Sequence, residues 1–270
     1  MTLAAMLGTA TLVAGASAWQ LLKEPENPRA RLQYSMALWT ILVLTPAQIV
    51  VGHFHAEHSL AVQPQKVAAI EGSWTRPPEG AGEPMRLFAV PDMDERRNHW
   101  ELAIPRVGSL YLRYNLTGTI AALDEFAPQD IPPVPIVFFA FRFMVGLGLL
   151  MLGQGLVSWV LRRRQRLFSA RWMMQGCVLL APAGFLAMLS GWVVTEVGRQ
   201  PFTVYGLLRT ADSLSSISHR KVIASTWSIL GFYLLIFGIG LWVLVRILRK
   251  PAQENEPGPQ PTLADETGDS

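Results

Sequence analysis

Two ionisable side chains lie within long apolar runs of the sequence and are the first candidates for chemistry. Arg142 lies in FFAFRFMVGLGLL, and Glu196 lies near the end of SGWVVTEVGRQPF. Ionisable groups are costly at membrane depth, so such a residue usually belongs to a functional site or extends its charged end to the membrane interface. The residues alone leave both alternatives open.

Met144 and Trp192 accompany these two charges. A thioether is a soft axial ligand for haem iron, and Gly146 and Gly148 would let a flat macrocycle approach the helix. The chain has 10 methionines, however, so plain packing is the simpler explanation of Met144. Trp192 precedes Glu196 by one helical turn and shares its face, where an indole could pack against whatever the carboxylate holds.

Arg199 follows Glu196 within a turn, before Pro201 ends the helix. A carboxylate at this position could ligate a metal or move protons. Arg199 could bind a ligand carboxylate through both guanidinium nitrogens, or could simply neutralise Glu196. A structural ion pair is the more common meaning of this spacing.

Lys66 and Glu71 form a further pair of charges, in QPQKVAAIEG. Their spacing puts them about 140° apart on a helix, which disfavours a simple salt bridge. They could contact two ends of one amphiphilic ligand or belong to an ordinary solvated face. Nearby, the set His53, His55, Glu57 and His58 resembles a metal site in spacing, but it lacks a clear fourth ligand, which disfavours zinc.

The composition indicates that a membrane surrounds these residues. The chain has 270 residues, of which 50% are hydrophobic and 16% charged, and its mean hydropathy is +0.27. A soluble domain carries about 25% charged residues, so an ordinary cytosolic enzyme is excluded. Cys177 is the single cysteine, which excludes a disulfide scaffold. The net charge of +3 is spread over short arginine clusters, which argues against nucleic acid as a partner.

Five apolar runs are long enough to cross a hydrocarbon core of about 30 Å as helices. The sequence therefore predicts an all-α integral membrane protein, a bundle of five transmembrane helices with a long external loop between the second and third. The runs are residues 3–22, 34–51, 136–161, 173–194 and 224–248. We expect helices 1 and 2 in residues 1–53, the external loop in 54–134, helices 3 to 5 in 135–250 and a disordered cytoplasmic tail in 251–270.

The external loop and the basic residues complete this expectation. Within the loop, residues 59–74 are predicted to form a helix near the interface, and residues 85–90 and 101–112 to be extended. Arginine and lysine cluster after the first, third and fifth runs, so these ends should be cytoplasmic. The N-terminus, residues 54–134 and the loop 196–221 then lie outside, although the last of these carries basic residues of its own.

Taken together, the strings QPQKVAAIEGSW, FFAFRFMVG and GWVVTEVGRQPF resemble subunit I of the cytochrome bd quinol oxidases, in the short-loop branch often called cyanide-insensitive. The motifs occur in the family's order, and the resemblance covers nearly the whole chain apart from its acidic tail. It implies a terminal respiratory oxidase of the bacterial inner membrane, which oxidises quinol and passes electrons through haems to oxygen, giving water. The N-terminus and long loop would be periplasmic and the C-terminus cytoplasmic.

The resemblance also implies residue roles and cofactors. Lys66 and Glu71 match the pair that serves quinol binding and oxidation. Met144 matches an axial ligand of the low-spin haem b, and Glu196 matches the ligand of the high-spin haem b. The oxygen site of the parent complex would hold haem d or a further haem b. Three neighbours match family residues at the haems: Arg142, which stabilises the reduced low-spin haem, Trp192, which lies between haems, and Arg199, which lies near propionates.

The chain also departs from the family. It would supply only the last five helices of the subunit, so the resemblance predicts a C-terminal half without the first four helices, the oxygen-site histidine and the second histidine of the low-spin haem. Its expected partners are the N-terminal part of subunit I, the second subunit and membrane lipid. His53 and Phe202 replace a usual Asp and Trp.

Two other hypotheses stay open from the residues. One is a non-enzymatic five-helix protein that binds haem or quinone. The other is a small transporter with Arg142 and Glu196 along its path, although the sequence shows neither the paired broken helices nor the inverted repeats that transporters usually have.

Overall fold

The computed structural model describes residues 1–213 and 217–249 of the chain. It divides into two compact units, Met1–Ser215 and Ser216–Ser270. The tail predicted to be disordered, residues 251–270, lies outside the described residues. The helices are α1 (Thr2–Lys23), α2 (Pro28–Val62), α3 (Pro64–Glu71), α4 (Val107–Arg113), α5 (Val134–Arg163), α6 (Arg171–Leu179), α7 (Ala183–Val197) and α8 (His219–Arg249).

Short antiparallel hairpins accompany the helices. The first pairs β1 (Met85–Asp92) with β2 (Arg97–Ile104), and the second pairs β3 (Phe202–Val204) with β4 (Leu208–Arg209). Both lie in segments that connect membrane helices. The prediction of an all-α protein therefore holds for the membrane-spanning part, whereas these connecting segments also contain strands.

The described residues contain 5 helices that are long and apolar enough to cross a membrane, which confirms the predicted number. They are α1, α2, α5, the α6–α7 pair and α8, with mean hydropathies between 1.3 and 2.3 in their most apolar windows. The second of them differs from its predicted run, because α2 continues past residue 51 to Val62. The helix thus includes the first residues of the segment predicted to be an external loop.

The fourth span is broken, although its run predicted one continuous helix. α6 ends at Leu179 and α7 begins at Ala183, with Pro182 at the junction. Proline has no N–H to continue the helical ladder and its ring clashes with the preceding turn, which accounts for the break. The two pieces together still have the length of one crossing.

Small residues bring the spans of the first unit into close contact. A Cβ placed on Gly15 of α1 would lie 2.4 Å from Cβ of Ala181, and one on Gly184 of α7 would lie 2.4 Å from Cα of Gly8. Close backbone approach at small residues is the usual way in which helices pack within lipid. Tyr34 of α2 is fully buried in the same core and lies beside the Cys177 thiol, with 3.5 Å between oxygen and sulfur.

The connection between α2 and α5 is folded onto the helices. α3 ends at Gly72, whose φ of +63° provides the left-handed cap. A Cβ at Gly72 would lie 2.9 Å from the Phe138 ring of α5, so the cap packs closely on this helix. The helix predicted over 59–74 is divided between the end of α2 and α3. The extended run predicted at 85–90 lies in β1, whereas the run 101–112 is half strand and half helix α4.

The second unit consists, among the described residues, of α8. This helix begins at His219, five residues before the run that predicted it. Its own side chains stack along it: the rings of Tyr233 and Phe237 are 5.8 Å apart, and the Arg246 guanidinium lies 5.3 Å from the Trp242 ring. The aromatic and basic residues near its C-terminal end are typical of a membrane interface.

Candidate functional site

Helix α3 directs its two predicted site residues to different neighbours. Lys66 and Glu71 are both buried, with 7% and 4% of their surfaces exposed. Lys66 reaches the C-terminal end of α7, and Glu71 reaches α4 and α5. The two side chains therefore point in different directions, as their spacing predicted. Their burial excludes the alternative that they belong to a solvated helix face.

The first group of side chains, the Glu196 cluster, comprises Lys66, Glu196 and Arg199. Arg199 forms an ion pair with Glu196, as the spacing on the helix suggested. The Lys66 side chain crosses Gly198, where an added Cβ would lie 3.1 Å from Cγ of Lys66. Burial lowers the pKa of Lys66, Arg199 lowers it further, and Glu196 acts in the opposite direction. The quinol lysine and the haem-ligand glutamate of the family resemblance thus lie together.

The second group, the Glu71 cluster, comprises Glu71, Glu83, Arg86, Tyr111 and Arg142. Tyr111 donates a hydrogen bond to the Glu71 carboxylate. Burial raises the pKa of Glu71, while Tyr111, Arg142 and Arg86 act to lower it and Glu83 acts to raise it. Burial and the Glu71 charge raise the pKa of Tyr111, so its hydroxyl stays a donor. The cluster can hold a proton or release one at a buried carboxylate.

The Arg142 side chain forms hydrogen bonds with residues outside the apolar run in which it lies. Its Nη1 donates to the carbonyl oxygen of Ile70 at 2.8 Å and to that of Phe138 at 3.1 Å. Its Nε and Nη2 donate to the carbonyl oxygen of Arg86 at 3.0 and 2.6 Å. The guanidinium also lies 3.2 Å from the centre of the Phe138 ring. Arg142 therefore fastens α3 and β1 to α5, the helix that carries Met144.

Glu83, Arg86 and Tyr111 were missed by sequence reasoning. Nη1 of Arg86 lies 3.0 Å from Oε1 of Glu83, and their side chains are 9% and 0% exposed. Their signals in the sequence are weak, because a single charge within MRLFAV and a single tyrosine within an apolar stretch are common on protein surfaces. The one available signal is Arg86 itself: successive side chains of a strand point to opposite faces, so an arginine within an apolar predicted strand can point inward.

The Met144 side chain projects from α5 toward α7 and is half-buried. A Cβ at Gly191 of α7 would lie 2.9 Å from its sulfur, so the thioether faces the helix that carries Trp192 and Glu196. At Gly146 and Gly148 an added Cβ would meet no described atom within 4 Å. Trp192 is 59% exposed within the described part of the chain. A soft sulfur donor, a carboxylate and an open glycine face fit the needs of a haem.

Of the histidines of α2, His53 contacts a tyrosine. Nε2 of His53 lies 2.6 Å from the hydroxyl of Tyr114, which also hydrogen-bonds to Glu57. His53 and Glu57, two members of the set whose spacing resembled a metal site, therefore bind the Tyr114 hydroxyl.

A different set has the spacing of a metal site. Within the described residues, the groups close enough to hold an ion together are Asp92, Glu95 and His99, at the tip of the first hairpin. Arg97 already pairs with Glu95 there, at 2.5 Å.

Known proteins resemble this chain over most of its length. The family described as cytochrome bd terminal oxidase subunit I matches residues 1–252. The chain is 30% identical over 268 residues to cytochrome bd ubiquinol oxidase subunit 1 of Bacillus subtilis (strain 168), a match that covers 95% of this chain and 56% of that protein. It is 24% identical over 307 residues to cytochrome bd-II ubiquinol oxidase subunit 1 of Escherichia coli (strain K12), covering 89% and 59%.

The fold has a counterpart among solved structures. The structure of bd oxidase from Geobacillus thermodenitrificans superposes with a TM-score of 0.77 and 23% sequence identity, over 91% of this chain and 56% of that one. At this identity the likeness shows the fold alone. The chain spans a little more than half the length of the relatives that it matches.

Proposed function

Because the chain belongs to the cytochrome bd terminal oxidase subunit I family, we propose that it receives quinol and passes the electrons toward haem within a membrane quinol:oxygen oxidoreductase. The relatives are named as ubiquinol oxidase subunits, which supports an oxidoreductase role as part of a complex. The observation that carries the proposal is the buried Glu71 carboxylate, which lies beside the arginine that fastens its segment to the helix of Met144.

Glu71 accepts a proton from a quinol hydroxyl as the quinol is oxidised. The oxidation of a quinol releases two protons and two electrons, so a base must lie within hydrogen-bond reach of a hydroxyl. A carboxylate whose pKa is raised by burial is closer to the range in which a general base works at neutral pH. Tyr111 and Arg142 keep that carboxylate oriented, since one donates to it and the other fixes its segment.

Lys66 binds the other oxygen of the quinol or of the quinone product. Its buried ammonium reaches the C-terminal end of α7, where the Glu196 cluster provides the nearest charges. A ligand that contacts both Lys66 and Glu71 must extend around α3, because the two side chains leave this helix on different faces. This requirement fits an amphiphilic ring system better than a small ion.

Met144 and Glu196 would hold haem irons. The thioether of Met144 suits the low-spin haem b, and the carboxylate of Glu196 suits the high-spin haem b. When bound, the haems would accept the electrons of quinol one at a time. Trp192 would pack between them, and Arg199 would neutralise either Glu196 or a propionate. Haem d or a further haem b belongs to the oxygen site of the parent complex.

The proposed complex lies in the bacterial plasma membrane. We propose that this chain assembles there with subunit II. The distribution of arginine and lysine favours a periplasmic N-terminus, a periplasmic segment 54–134 and a cytoplasmic C-terminus. Quinol would then reach the Glu71 cluster from the outer part of the bilayer.

Anaerobic reduction of haem by quinol tests the proposal. Membranes that contain the assembled complex are mixed with quinol, and the absorbance of reduced haem b is followed. In Glu71→Gln the reduction should slow by about 100-fold or more, the usual contribution of a general base. Glu79→Gln is the matched control, because Glu79 lies on the same segment and is exposed. Haem that is present but not reduced by quinol in the wild type would favour the non-enzymatic binder instead.

A further inference from the structure

A buried ion pair lies directly behind Glu71. Oε1 of Glu83 is 3.0 Å from Nη1 of Arg86, and the same nitrogen is 3.4 Å from the carbonyl oxygen of Glu71. Glu83 is fully buried and the Arg86 side chain is 9% exposed. Buried ion pairs often contribute no more to stability than well-packed apolar residues of similar volume. The presence of two opposite charges at this position therefore calls for a reason other than stability.

The surroundings hold both charges in fixed positions. Ser73 donates its hydroxyl to Oε1 of Glu83 at 2.8 Å, and Ser109 accepts the backbone N–H of Glu83 at 2.5 Å. On the other side, Nε of Arg86 lies 3.1 Å from Oε1 of Glu101. The carbonyl oxygen of Arg86 accepts the two hydrogen bonds from Arg142. Arg86 thus contacts α3, α5 and β2 around Glu71.

One oxygen of Glu83 has no hydrogen-bond partner among the described residues. Its Oε2 is buried and accepts no hydrogen bond from any described group. An unscreened oxygen of this kind acts strongly on nearby charges, because the local dielectric constant is low.

Four groups act on Glu71, each from a different segment. Tyr111 comes from α4, Arg142 from α5, Arg86 from β1, and Glu83 from the turn before β1. Arg86 and Glu83 act on the pKa of Glu71 in opposite directions, because one is a cation and the other an anion. The two partners of one ion pair therefore have separable effects on the same carboxylate.

We propose that Arg86 and Glu83 form a charge-setting pair for Glu71, which determines how readily this carboxylate takes up a proton. Both are positioning residues, because they touch Glu71 or its segment and act on quinol only through it. The inference rests on the proposed function in one respect, namely that the proton in question comes from quinol. The effect on Glu71 itself does not depend on that function.

Infrared titration of the full chain in lipid nanodiscs tests the pair. The protonated Glu71 carboxyl gives a C=O stretching band, assigned by its loss in Glu71→Gln. Neighbouring charges typically move such a titration by about one to three pH units. In Arg86→Gln the band should persist to higher pH than in the wild type, and in Glu83→Gln it should disappear at lower pH.

The controls separate charge from structure. Arg86→Lys keeps the cation, and Glu101→Gln removes the outer partner, which does not act on Glu71; in both, the titration should stay close to that of the wild type. If Arg86→Gln does not fold, Glu83→Gln is compared with the double variant Glu83→Gln/Arg86→Gln, which should titrate at the higher pH. A purely structural pair would move both single variants in the same direction or not at all, and either result would overturn the inference.

The pH dependence of quinol oxidation then distinguishes the inference from the proposed function. If the rate follows the titration of Glu71 in both variants, the pair sets the catalytic proton affinity. If the titration shifts in opposite directions while the rate profile stays fixed, the charge-setting pair is upheld and the role of Glu71 in quinol oxidation is wrong. If the rate falls in Glu71→Gln but neither titration shifts, the proposed function stands and the charge-setting pair is wrong.

Discussion

Arg142→Lys should loosen the attachment of the external segment to α5. The arginine donates to the carbonyl oxygens of Ile70 and Arg86, which belong to separate elements, and only its forked guanidinium can reach both. Lysine keeps the charge but has a single compact donor head, so at least one of these acceptors loses its partner. A hydrogen bond to a charged group contributes about 1.5 to 3 kcal/mol.

This loss corresponds to a change of about 10-fold to 100-fold in the equilibrium between docked and undocked segment. Hydrogen exchange of residues 64–92, measured in the full chain, reads that equilibrium directly. Arg162→Lys is the matched control, because Arg162 lies at the other end of α5 and donates to Ser35 on α2. Unchanged exchange over 64–92 in Arg142→Lys would refute the proposed attachment, as would an equal increase in the control.

Three further predictions concern packing, pH and the isolated chain. Gly15→Ala should lower the thermal stability by about 1 to 3 kcal/mol, because its Cβ would lie 2.4 Å from that of Ala181; Gly153→Ala, where no described atom lies within 4 Å, should not. Burial raises the pKa of Glu71 above its ordinary value of 4.5, so its contribution to stability is complete below that pH and is lost as pH rises through the folded-state pKa. Glu71→Gln should therefore gain stability relative to the wild type across this window, and a difference in unfolding temperature that is independent of pH would count against it. The 270 residues purified alone should consume no oxygen with quinol, which an oxygen electrode measures; uptake would contradict the expectation that none of these residues matches the oxygen-site histidine.

The membrane helices could be predicted because lipid leaves the backbone no alternative to internal hydrogen bonding. Their ends could not be predicted as well. α2 continues to Val62 through polar residues such as His53 and Glu57. Because these residues are polar, a hydropathy criterion ends the membrane helix before them. The break before α7 was visible as Pro182, but a long apolar window averages over a single proline.

In the candidate site, contacts between residues close in sequence could be predicted, whereas contacts between distant segments could not. The pairing of Glu196 with Arg199 and the separation of Lys66 from Glu71 follow from helical spacing, and both are present. The partners of Glu71 come from distant segments that only the hairpin and α4 bring together, so no local pattern indicates them.

Arg142 shows the same limit. Its position in an apolar run predicted a functional or interfacial charge, whereas its four hydrogen bonds go to the backbone of the chain itself.

The spectrum of haem in the assembled complex tests most directly whether this chain carries the electron acceptors. Met144→Leu and Met151→Leu are volume-conserving changes on the same helix, and such changes cost little stability. Met144→Leu should abolish the low-spin haem b signal in optical and electron paramagnetic resonance spectra, while Met151→Leu, in the buried core, should retain it. A low-spin signal that survives in Met144→Leu would contradict the assignment of Met144 as a haem ligand.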